Sequence, residues 1–167
     1  IGIISGSAAG LAAFISGTVI FAVNSLGIIF CINLIIKGYN VTDTAGLRSL
    51  GRNDKLLFLS FIFFLASSAG FPLTSGFNSK MILYSLPGLD SYFWLIASGI
   101  ISSVVFLYFI FRLSTAIFTG KTAQNPPKIG TLPLVILLIL LFSVIFFGIF
   151  VSPLLNWANY CSILFGI

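Results

Sequence analysis

Histidine is missing from the sequence altogether. That removes imidazole acid–base chemistry and any haem or zinc site ligated by histidine. Acids are nearly missing too, with three Asp and Glu against eight Lys and Arg in 167 residues. Charged residues make up only 7% of the chain, whereas a soluble domain carries about 25%. Cys31 and Cys161 are the only cysteines; they lie in separate apolar runs and form no CxxC pair. A metal site or disulfide is therefore not expected, and both read as small buried hydrophobes. No GxGxxG, Walker loop, nucleophile elbow or EF-hand occurs, so no nucleotide, redox cofactor or metal is held by a recognisable motif. The start, Ile1-Gly2-Ile3-Ile4, has no basic segment followed by a cleavage site and is not a recognisable signal peptide.

What is present is apolar surface. Hydrophobic residues reach 59%, with 19 Phe, and the mean hydropathy is +1.19. The apolar runs are long and continuous, unlike the roughly ten-residue alternation of barrel strands. The expected fold is all-α: a single polytopic transmembrane helix bundle of about four spans, one of them broken. The spans read as 11–36, 56–86 with a break at 70–76, 92–118 and 129–155, each above the ~20 residues that a crossing needs. The second is too long for one straight helix, which agrees with two half-helices. Pro133 falls in the first turns of the fourth, where proline is tolerated. Trp157 and Tyr160 follow it, where an interfacial aromatic belt would lie.

The net charge of +5 does not point to nucleic acid, because the basic residues form no patch or stripe. Lys37, Arg48, Arg52 and Lys55 fall in the loop 37–55, Lys121 and Lys128 in the linker 119–128, and the connector 87–91 carries only Asp90. Two crossings separate the basic loops, so both are expected on one side, the cytoplasm or a mitochondrial matrix.

Lys80 is the residue on which a functional reading turns. It lies inside the second apolar stretch, just after the breaker run Gly70-Phe71-Pro72-Leu73-Thr74-Ser75-Gly76. A charge at membrane depth costs roughly 2.5–3.5 kcal/mol on insertion scales and usually has a reason. The helix break, marked by Gly70, Pro72 and Gly76, frees backbone groups that must face protein or water. Broken helices beside charged residues are a common way to build ion pathways. Ser67, Ser68, Thr74, Ser75, Asn78 and Ser79 precede Lys80 in sequence with groups able to hold water near an ammonium. Such a lysine can exchange a proton as a neighbour moves; the plainer alternative is that it snorkels to the interface. Asn24, near the middle of the first span, is a further supporting polar residue, with interhelical hydrogen bonding as its commoner role. Arg112 stands six residues before the end of the third span. It is a candidate for electrostatic tuning of Lys80 or for a snorkelling anchor. No Asp or Glu falls inside any span, so a proton relay in this chain alone lacks an acidic partner. No residue reads as catalytic in the bond-making sense.

The stretch 59–80, with Gly70, Pro72, Gly76, Phe77 and Lys80 in their order, resembles the antiporter-like subunits of respiratory complex I. Lys80 followed by Met81 is similar to the chain 2 members of that family, the NADH–ubiquinone oxidoreductase chain 2 subunits. So is the run 102–113, with aromatic residues ahead of Arg112. The segment Ala22-Val23-Asn24-Ser25-Leu26-Gly27 is similar to the family's helix ahead of the broken one. The resemblance spans about residues 15–155 and is specific over 60–80 and 102–113.

It implies a proton-pathway role for Lys80 in a broken helix. It also implies that the chain is a C-terminal portion of a proton-pumping membrane-arm subunit coupling NADH–quinone electron transfer to proton translocation. The enzyme is then NADH:ubiquinone reductase, with NADH, FMN, iron–sulfur clusters and quinone held in other subunits and none in this chain. The expected setting is the mitochondrial inner membrane, with loops 37–55 and 119–128 on the matrix side. The family's upstream helices bring a second broken helix, a glutamate and further lysines. The expected partners are therefore other membrane-arm subunits, among them a chain supplying the missing N-terminal half, together with the lipid bilayer. The rival readings are a structural membrane-arm subunit that no longer pumps and a subunit of a related cation/proton antiporter.

Overall fold

A computed structural model describes residues 1–3, 7–39, 54–86, 93–118 and 130–164. The described residues form helices α1 (Ala8–Tyr39), α2 (Lys55–Ala69), α3 (Ser75–Tyr84), α4 (Phe93–Phe118), α5 (Thr131–Ile149) and α6 (Ser152–Leu164), and no strand. The chain is thus the polytopic helical bundle that its apolar runs predict. Most of the loops 37–55 and 119–128 and the connector 87–91 lie outside the described residues. Of their charged residues, Lys37 closes α1, while Asp54 and Lys55 open α2.

α1, α4 and α5 are each long and apolar enough to cross a membrane. α2 has 15 residues, about 22 Å at the helical rise, short of the ~30 Å hydrocarbon core. The second apolar stretch therefore needs both α2 and α3 to cross.

α1 is the central element, packing against α2, α3, α5 and α6. Its inward face is set by size as much as by polarity. Ala13, Ser16, Ile20, Asn24, Gly27, Cys31 and Ile35 are buried at intervals of three or four residues, the spacing of one helix face. The opposite face carries Phe14, Phe21, Ile29, Ile32 and Ile36, all exposed. Small residues on the inner face let neighbouring helices approach closely, as in membrane bundles generally. At Gly27 the approach is complete: the Phe64 ring of α2 occupies the space where a Cβ would stand, 2.5 Å from its Cε1. Around that contact Leu57, Phe58, Phe61 and Phe64 of α2 pack with Cys31 and Ile35 of α1, Ile117 of α4, and Leu137 and Val144 of α5.

The apolar stretch expected as one span over 129–155 is divided in the structure. α5 ends at Ile149, and α6 starts at Ser152 and lies against α1. Ser152-Pro153 accounts for the restart, since a proline in the first turn has no amide to satisfy and its φ suits the helix. Trp157 and Tyr160 are exposed on α6.

Candidate functional site: a lysine that spans a helix break

α2 stops at Gly70, which adopts the left-handed conformation with φ 92° and ψ 44°, open to glycine at little cost. The amide of Phe71 donates to the Ala66 carbonyl and that of Gly70 to the Ser67 carbonyl, both at 3.0 Å. This pair of bonds is the Schellman motif, and it uses two of the four carbonyls left over at a helix end. The Ala69 carbonyl is not served by it. Lys80, one and a half turns into α3, reaches back across the break and donates to that oxygen at 2.7 Å. A cation is well suited to this position, where the α2 macrodipole has its negative end.

The same ammonium donates to Ser103 Oγ on α4 at 2.8 Å, and Ser103 Oγ donates onward to the Gly99 carbonyl at 2.9 Å. One turn after Lys80, the Tyr84 hydroxyl fills the space beside Gly99 where a Cβ would collide with it. Lys80 and Tyr84 are thus seated together on Ser103 and Gly99, a pair four apart against a pair four apart. An ammonium has three donors, and the bonds to Ala69 and Ser103 use two. Gly70 also supplies clearance, because a Cβ there would lie 3.1 Å from the Lys80 Cδ and 3.4 Å from its Nζ.

The break is closed on its other sides by close backbone approaches. A Cβ on Gly76 would collide with the Ser67 carbonyl oxygen; in its absence the Gly76 amide makes a long 3.4 Å bond to Ser67 Oγ. A Cβ on Gly148 of α5 would collide with the Leu73 carbonyl and come within 2.9 Å of Thr74 backbone atoms. Asn78 donates to the Gly148 carbonyl at 2.5 Å and to that of Phe147 at 3.4 Å, two of the last four carbonyls of α5. Leu73 has φ 67° and is 77% exposed. That conformation is uncommon for a residue with a branched side chain.

The polar residues that flank Lys80 in sequence therefore do not converge on its ammonium. Ser68 Oγ bonds back to the Phe64 carbonyl at 3.1 Å and Thr74 Oγ1 to that of Phe71 at 2.6 Å. Thr74, Ser75 and Ser79 are buried, and Ser79 Oγ lies 2.9 Å from where a Gly17 Cβ would stand on α1. Pro72 is exposed in the turn. Asn24 is buried at 1% exposure, and its Oδ1 has no hydrogen-bond partner among the described residues. It sits on the α1 face between Gly17, which meets Ser79, and Gly27, which meets Phe64, and so stands level with the break. Arg112 is exposed on α4. It is nine residues beyond Ser103, roughly 13 Å along the axis, so it makes no contact with the lysine site. Asp54 is the one acid among the described residues. It precedes α2, about 22 Å along the helix from Ala69.

Ser103 and Tyr84 were not identifiable as site residues from sequence. The one signal was Ser102-Ser103 inside an apolar run; which helix they face is a tertiary fact.

A broken helix inside a membrane bundle, with a charged residue beside the break, is an arrangement that recurs in transporter folds. The chain belongs to the NADH:quinone oxidoreductase/Mrp antiporter, TM family, whose model matches residues 1–107. The resemblance carried by residues 59–80 is borne out at that level. The chain is 29% identical over 150 residues to an NADH-quinone oxidoreductase subunit N of Chlorobium chlorochromatii, covering 86% of this chain and 29% of the relative. It is 27% identical over 139 residues to a subunit N 2 of Chloroherpeton thalassium, covering 80% and 27%. It is 26% identical over 172 residues to a subunit N of Moorella thermoacetica, covering 99% and 35%. The chain thus spans about a third or less of the length of these curated relatives.

Proposed function

We propose that this chain is the broken-helix portion of a proton-pumping membrane-arm subunit of respiratory complex I, with Lys80 as a proton carrier. The observation that carries this is the Lys80 ammonium bonded across the break to Ala69 and Ser103. A charge held by a helix end and a hydroxyl, with a donor to spare and no carboxylate among the described residues near it, is poised to respond to a charged group brought by a partner. Protons would pass between Lys80, water at the break and that group. Redox work elsewhere in the assembly would change the local field and drive the proton outward. The reading sets the chain in the mitochondrial inner membrane, with segments 37–55 and 119–128 toward the matrix; in a bacterial cell that side would be the cytoplasm. The NADH, flavin, iron–sulfur and quinone chemistry belongs to other subunits of the assembly.

The test is Lys80→Met in the assembled complex. Electron transfer is expected to continue with fewer protons moved per electron. An unchanged ratio sinks the proton-carrier role and leaves the structural reading. The family description also names Mrp antiporters, which keeps a cation/proton exchanger subunit as a second reading. Co-purification with quinone-reducing activity supports the first, and sodium-dependent proton exchange without it supports the second.

A further inference from the structure

α4 is the least covered of the long helices: Phe93, Trp94, Ile101, Val104, Tyr108, Phe109 and Phe111 all face outward. Arg112 stands exposed on this side, six residues before the end of α4. Among the described residues its guanidinium has no ion pair or hydrogen bond; only its backbone carbonyl is engaged, by Thr115 Oγ1. Two cavities adjoin there. One, of about 480 Å³, is lined by Tyr108, Arg112 and Thr115 together with Leu107 and Phe111. The other, of about 500 Å³, is an apolar groove between α2 and α4, bounded by Leu59, Phe63, Ala66 and Ile110, and it shares Leu107 and Phe111 with the first. Residues 107 and 111 lie one turn apart on a single ridge, with the cationic hollow on one flank and the apolar groove on the other.

We propose that this composite cavity binds one anionic phospholipid, its phosphate on Arg112 and an acyl chain in the α2–α4 groove. Guanidinium suits a phosphate because its fork of donors matches two phosphate oxygens. The Tyr108 hydroxyl, one turn earlier, offers a further donor, whereas the Thr115 proton is already given to the Arg112 carbonyl. Polarity is ordered as an amphiphile requires. The cation is near the α4 end that leads into the linker bearing Lys121 and Lys128, and the groove runs from Leu59 toward Phe71 at the break. Anionic lipid is drawn to basic segments at that level. A packed partner helix fits the Arg112 end of this face less well, since close helix contacts in membranes favour small residues, and α4 presents Tyr108, Phe109 and Phe111 there. The proposal does not depend on the proton-carrier role of Lys80.

The test uses the purified membrane assembly that contains this chain, stripped of lipid and titrated with phosphatidylglycerol or phosphatidylcholine, with bound lipid counted by native mass spectrometry. Wild type is expected to retain one phosphatidylglycerol with about tenfold preference over phosphatidylcholine, roughly the strength of one charge-assisted contact. Arg112→Leu is expected to abolish the preference and Arg112→Lys to keep part of it. Ala66→Phe, which fills the groove with Arg112 intact, should weaken retention as well. Equal retention in wild type and Arg112→Leu overturns the proposal. So does displacement by inorganic phosphate alone, or a carboxylate of another chain found on Arg112 in the assembly.

Discussion

The Nζ of Lys80 lies 2.7 Å from the carbonyl oxygen of Ala69, eleven residues earlier and on the opposite side of the helix break. One side chain thereby satisfies the end of one half-helix from within the other. In a membrane this matters twice. The freed carbonyl would otherwise face an environment with little water, and the ammonium would otherwise face it without an acceptor.

Lys80→Met keeps most of the length of the side chain and removes both of its hydrogen bonds. Proton translocation per electron is expected to fall. Stability is also expected to fall, by about 1–3 kcal/mol, because the Ala69 carbonyl loses its partner. Lys80→Arg, which restores a donor without a readily released proton, should recover stability but not pumping. Proton-to-electron ratios in reconstituted vesicles, read beside thermal unfolding, separate the two effects.

Gly70→Ala combines a left-handed backbone with a Cβ that crowds the Lys80 stem at 3.1 Å. A loss of about 1–2 kcal/mol is expected from the backbone alone. Because the crowded neighbour is the lysine itself, translocation should drop further than in a variant of equal instability elsewhere. If Gly70→Ala pumps normally, the lysine does not need its route over the break.

Gly76→Ala forces a Cβ into the Ser67 backbone, where no side chain can swing aside. A cost of about 1–3 kcal/mol or more is expected, as for overpacking generally. Gly130→Ala is the control, since among the described residues the nearest neighbour of its Cβ would be Pro133 Cδ at an ordinary 3.5 Å. Denaturation in detergent should separate the two variants clearly, and equal stabilities would refute the close α2–α3 approach.

Asn24→Leu replaces a buried side chain whose Oδ1 has no partner among the described residues with an apolar one of similar size. Removing an unsatisfied acceptor should raise stability, by about 1–3 kcal/mol. A fall in melting temperature would mean that water or another chain serves that oxygen in the assembly.

The break at Gly70 was legible because Gly and Pro in an apolar run have few other readings, and Lys80 because a lone charge in such a run is conspicuous. The polar cluster was legible as a list and not as an arrangement. Ser68 and Thr74 turn to their own backbone, and Asn78 turns to α5, since a short polar side chain takes the nearest free carbonyl. Ser103 could not be assigned from sequence, because the choice of α4 face depends on how α3 docks. The division of the last apolar stretch was signalled by Ser152-Pro153, yet continuous apolarity across 150–151 masks it. Periodicity told little about α1, whose two faces differ in side-chain size more than in polarity.

Asn78 binds the last carbonyls of α5 while Leu73 and Thr74 rest on Gly148. The interruption between α2 and α3 is thereby fastened to the end of α5, next to the interruption between α5 and α6. A tilt of α3 is then not a private motion. It is expected to pull on the end of α5 and to reach α6, which lies along α1. A spin label on the exposed Tyr160 position should accordingly report a change at Lys80 from a helix that never touches the lysine, and it should fall silent once Asn78→Leu cuts the tie.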